Sequence, residues 1–76
     1  MSELDRIRWQ CRRGLLELDL VLNRFLERDL AELDPGQLQT FHALLKEPDT
    51  HLLAWIMEQE EAPGHYRDLV RRLQRV

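Results

Sequence analysis

One glycine, Gly14, interrupts a helical pattern that otherwise runs through the first third of the chain, and it constrains the fold more than any other residue. Inside a helix glycine costs roughly 1 kcal/mol relative to alanine, so its position between Arg13 and Leu15 needs a backbone or a contact reason. Either it ends one helix in a left-handed turn, or it lets another molecule approach the main chain closely. Arg6, Arg8, Arg12 and Arg13 precede it, and an apolar helix starts directly after it. Arg13 and Glu17, four positions apart, allow two readings. They form an exposed ion pair of about 0.2–0.5 kcal/mol, or they belong to a recognition surface. Arginine ahead of glutamate is the poorer orientation for a helical pair, and Gly14 undermines the helix that would present it. Recognition is the favoured reading.

Strand-like alternation and internal repeats are absent, and the apolar residues recur at helical spacing, so the expected fold class is all-α. A first helix is expected from about Leu4 to Arg12, with Leu4, Ile7 and Cys11 on one stripe and Trp9 off it. After Gly14 the longest helix should run to about Leu33, with Leu15, Leu18, Leu22, Phe25 or Leu26, and Leu30 facing the core. Asp34-Pro35-Gly36-Gln37 is a start signal: Asp34 caps, Pro35 suits the first helical position, and Gln37 completes a capping box. Leu38, Phe41 and Leu45 form the stripe of that third helix. Asp49 is expected to cap a fourth helix reaching Met57 or Gln59. After Pro63-Gly64, Tyr66, Leu69, Val70, Leu73 and Val76 mark a fifth. Residues 1–76 thus read as one domain, a compact bundle of about five helices with short links.

Seventy-six residues lie near the lower limit for independent folding, and a single cysteine, Cys11, excludes an internal disulfide. Stability must come from helix packing, for which the 43% hydrophobic share suffices. A formal net charge of −3 argues against a general nucleic-acid binder. Among the cations only Lys46 is not arginine, which suits bidentate contacts but equally reflects a GC-rich genome. The longest apolar run, Leu52 to Met57, falls far below the ~18 residues of a membrane span. No signal region precedes the charged start at Glu3, Asp5 and Arg6, so a cytoplasmic protein without membrane insertion is expected.

Among candidate sites, Trp9 fits a core residue and an interface anchor equally, since aromatics and arginines are enriched at binding hot spots. Trp55, within an apolar run, reads as core. Cys11 reads as a small buried hydrophobe, because a thiol nucleophile needs a lowered pKa and a nearby base. His42, His51 and His65 are dispersed and read as surface or boundary residues, so no metal site is expected. Glu58, Glu60 and Glu61 read as a solvated helix end. No phosphate loop or dinucleotide fingerprint occurs, and the chain is short for an enzyme cleft of about 300 Å³ in its own core. No catalytic residues are assigned.

The stretch Ile7-Arg8-Trp9-Gln10-Cys11-Arg12-Arg13-Gly14-Leu15-Leu16-Glu17-Leu18-Asp19 resembles the flavinylation factors of succinate dehydrogenase, also called succinate dehydrogenase assembly factor 2, or the SdhE family in bacteria. Their Arg-Gly-x-x-Glu signature is matched by Arg13, Gly14 and Glu17. An Arg-x-Trp lead-in, a Leu-Asp-Leu continuation and a Pro-Asp…Leu-x-x-Trp-Ile-Met segment at 48–57 extend the likeness over nearly the whole sequence. The leader-free start suggests a bacterial member. The resemblance implies a five-helix assembly factor, not an enzyme. Such a factor binds the flavoprotein subunit of succinate dehydrogenase, or of fumarate reductase, and promotes covalent attachment of FAD to a histidine there. The flavin belongs to the partner, with its 8α-methyl carbon as the bonding site, and no tightly bound cofactor is implied for the factor itself. Partner binding is expected at Arg13, Gly14 and Glu17, with Arg8, Trp9 and Arg12 as neighbours, and the chain is expected to be a monomer. The competing expectation is a regulatory helical module, protein-binding or DNA-associated, that uses its arginine clusters.

Overall fold

Residues 2–76 are described by a computed structural model, with the side chains of Glu3 and Leu4 outside the description. Five α-helices follow one another: α1 (Glu3–Gln10), α2 (Leu16–Arg28), α3 (Pro35–Leu45), α4 (Asp49–Ile56) and α5 (Arg67–Gln74). Short 3₁₀ turns at Leu30–Glu32 and Gly64–Tyr66 precede α3 and α5. No strand occurs among the described residues, so the all-α expectation holds.

Local chemistry accounts for most of the boundaries. Ser2 caps α1 by accepting from the Asp5 amide, and the Asp5 carboxylate accepts from the Ser2 amide in return. α1 ends at Gln10, earlier than the expected Arg12, because the Arg13 amide leaves the helical ladder for the Asp19 side chain. The predicted place of Leu4 on the apolar stripe lies outside the described residues, whereas Ile7 and Cys11 are both buried. α2 stops at Arg28, well short of Leu33. The chain tightens there into the 3₁₀ turn, whose three-residue spacing packs both Leu30 and Leu33 against the core. Leu15 is also a correction: it precedes the first turn of α2 and is exposed, leaving Leu18, Leu22 and Phe25 as the buried face.

The α3 start follows its sequence signal closely. The Gln37 amide donates to Asp34 Oδ1 at 2.7 Å, and the Asp34 amide donates to Gln37 Oε1 at 3.0 Å. α4 departs from expectation at both ends. Pro48, not Asp49, occupies its N-cap, and it ends at Ile56 in a reversal that puts Glu58 at φ 61°. The amides of Glu58 and Gln59 donate back to the carbonyls of Trp55 and Ala54, the pair of bonds that closes a helix in the Schellman manner, with glutamate where glycine is usual.

α5 lies against both α2 and α4, and α3 meets the turn that leads into α5. Phe25 and Phe41 pack with tilted rings, centroids 4.9 Å apart, in a core that also holds Leu22, Leu44, Leu52 and Leu73. Trp55 is core, as expected, packed 5.8 Å from the Tyr66 ring. Gln74 Nε2 donates to the Trp55 carbonyl and fixes the end of α5 to α4. No helix among the described residues is long and apolar enough to cross a membrane.

Candidate docking site at the first bend

The bend between α1 and α2 is built around the Arg13 side chain, which is only 13% exposed. Its Nε donates to Asp49 Oδ1 at 2.6 Å. Nη1 donates to the carbonyls of Gln10 at 2.9 Å and Leu45 at 2.6 Å, and Nη2 to the carbonyl of Glu47 at 2.7 Å. Gln10 ends α1, whereas Leu45 and Glu47 flank the end of α3, so these carbonyls lack helical donors. One guanidinium therefore caps two helix C-termini, where a cation is favoured, and pairs with a carboxylate in the first turn of α4, where an anion is favoured. The rigid five-donor fork suits this arrangement; an ammonium group does not reach four divergent acceptors.

This geometry corrects the picture of Arg13 as an outward fork beside Glu17. The two residues do not share a helix, and Arg13 turns inward while Glu17 lies exposed on the first turn of α2. Two residues that sequence reasoning missed do the holding. Asp49 was expected to cap α4 and instead pairs with Arg13 across the fold. Asp19 accepts the Arg13 amide at 2.8 Å. No local signal marks the first of these, because the partners are 36 positions apart in the sequence. The six-residue spacing to Asp19 corresponds to no helix or hairpin period.

Gly14 sits at φ +81°, and a Cβ placed there meets no atom within 4 Å. Glycine is required by the sign of the dihedral, not by crowding within the chain. The outer face of the bend is open. Trp9 is 66% exposed, with Arg8 and Arg12 exposed beside it in sequence. Leu16, at 75%, and Leu20, one helical turn further along α2, are exposed as well. Trp9, Leu16 and Leu20 are three of the five large apolar side chains that stand exposed among the described residues.

Cys11, the first residue of the bend, is fully buried. Loss of hydration pushes its thiol up to about 12, opposed by the nearby Arg13 cation and reinforced by Asp19. It is a protonated packing group at neutral pH. His51 packs near the Trp55 ring and His65 against Tyr66, while His42 is half-buried on α3. No His, Cys, Asp and Glu cluster with metal-binding geometry occurs among the described residues. Three surface clefts of about 290, 300 and 310 Å³ involve none of the bend residues.

Fold and site together define a small helical protein that presents an aromatic and cationic face beside a clamped bend. The profile of the family described as "Flavinator of succinate dehydrogenase" matches residues 5–76. Similar proteins include an "FAD assembly factor SdhE" of Legionella pneumophila (strain Lens), 43% identical over 68 residues that cover 90% of this chain and 86% of that one. A protein of the same description from Coxiella burnetii is 35% identical over 72 residues, covering 93% and 88%. No solved structure matches the chain significantly. The chain belongs to the family of succinate dehydrogenase flavinators.

Proposed function

We propose that this protein is an assembly factor that docks on the flavoprotein subunit of succinate dehydrogenase and promotes covalent attachment of FAD to a histidine of that subunit. The observation that carries this reading is the open face at the bend. Trp9, Arg8 and Arg12 stand exposed near the left-handed Gly14 and the exposed Glu17, in a chain related over nine-tenths of its length to a named FAD assembly factor. Trp9 supplies a large rigid apolar anchor, and Arg8 and Arg12 supply forks for partner carboxylates or carbonyls. Gly14 leaves the main chain open to close approach, and Glu17 accepts hydrogen bonds from the partner. Arg13 belongs to the same surface by holding its shape.

The flavin supplies the bond-forming chemistry, on the partner. This chain contributes binding energy that favours a flavoprotein conformation in which the histidine and the flavin are aligned. Such positioning lowers a barrier by several kcal/mol without any group being donated. The factor itself is not an enzyme in this reading and holds no cofactor of its own. It acts as a cytoplasmic monomer, and the flavoprotein subunit of fumarate reductase is a second client. The test is deletion of the gene followed by in-gel detection of covalent flavin on the dehydrogenase subunit. Lost signal is expected to return with the wild-type chain and not with Trp9→Ala. Undiminished signal in the deletion strain overturns the reading.

A further inference from the structure

We propose that Asp49 and Asp19 are positioning residues for the docking face, acting through Arg13, which orders that face without touching the partner. This rests on the docking reading given above.

The face is assembled from two helices. Arg8 and Trp9 ride on α1, Glu17 rides on α2, and Arg12 and Gly14 lie in the five-residue bend between them, residues 11–15. Arg13 joins all of these parts. Its amide is held by Asp19 on α2, its Nη1 by the last carbonyl of α1, and its Nε by Asp49 of α4. Four of its five N–H groups point at internal acceptors, so the group is consumed as a clamp. Fixing exposed side chains before association removes part of the ordering cost of binding.

The experiment compares full-length wild type with Asp49→Asn, Asp19→Asn, Arg13→Ala and the double variant Arg13→Ala/Asp49→Asn. Binding to the purified flavoprotein subunit is measured with covalent flavin yield, helical circular dichroism, and the resonances of the Trp9 indole and the Gly14 and Glu17 amides. Asp49→Asn is expected to bind roughly tenfold more weakly at unchanged helix content, the loss of one charge-assisted bond. Those three resonances should shift, and Asp49→Glu should restore part of the affinity. The double variant should bind no worse than Arg13→Ala, because both changes release one clamp. If Arg13→Ala does not fold, Arg13→Lys takes its place. Unchanged affinity in a folded Asp49→Asn variant, or additive losses in the double variant, overturns the proposal. Wild-type chain that fails to bind the subunit sinks the docking reading instead; the clamp then stands or falls on the three resonances.

Discussion

Two turns of this chain solve the same problem by different means. The α2–α3 turn is closed by its own neighbours: Asp34 and Gln37 exchange hydrogen bonds across three residues, and Pro35 sets the first helical dihedral. At the α1–α2 bend no side chain caps the start of α2, and beside the nearby Asp19 and Gln10 acceptors the restraint includes Asp49, 36 positions away from Arg13. A turn closed locally depends less on the rest of the fold. A turn held from a distance is ordered only when the whole fold is, and it is beside this one that large apolar side chains stand uncovered. The less self-sufficient bend is the one beside which the docking face is proposed.

The comparison can be broken most directly by removing each restraint in turn. Arg13→Ala strands three carbonyls and leaves Asp49 without its cation. Fully buried pairs lose about 3–5 kcal/mol, and because Asp49 is 37% exposed a loss of roughly 2–4 kcal/mol is expected, read by urea denaturation. Gly14→Ala should cost about 1–2 kcal/mol from its positive dihedral, with Gly14→Asn milder because asparagine tolerates that region. If Asn at this position preserves stability yet abolishes flavinylation, close approach of the partner is the glycine's second duty. Asp34→Ala should cost about 1 kcal/mol, a lost cap and no more. A loss equal to that of Arg13→Ala would end the distinction between near and remote restraint.

Alkaline pH sharpens the same contrast more gently. The Cys11 pKa is raised on folding from 9.0 to about 12, so the folded state holds its proton longer than the unfolded chain does. The associated stability is complete below pH 9 and is lost as pH rises toward 12. Between pH 8 and 9.5 the wild type should therefore lose just under about 1 kcal/mol more than Cys11→Ala. Burial, aided by Glu47, raises the Tyr66 phenol as well, which adds to the loss in both proteins at higher pH. Smallest of all, Glu58→Gly should gain a few tenths of a kcal/mol to about 1 kcal/mol by relieving a left-handed residue at the end of α4. An unchanged melting temperature would show that Glu58 has a compensating contact.

How far the sequence could be read depended on where each restraint comes from. The capping box at Asp34 was legible because all its parts lie within four residues. The Leu69, Val70 and Leu73 stripe was legible because helical spacing states it directly, and all three are buried. The end of α2 was misplaced because Leu30 and Leu33 fit a continued helix as well as the 3₁₀ turn that the core imposes. At the bend, exposure and identity parted company. Trp9 fitted core and surface equally from its position, and the fold turns it outward. Arg13 looked like a surface residue in a cationic run and is held inside by an acid whose local context suggested a helix cap.

The two indoles end up in opposite surroundings, Trp9 open to water and Trp55 sealed at 6% exposure against Tyr66. Light emission from this protein therefore has two components, of which dissolved iodide can reach only one. A client that covers the first bend would shield that component and leave the other unchanged. The chain thus carries an intrinsic optical gauge of its own occupancy, usable without any attached dye.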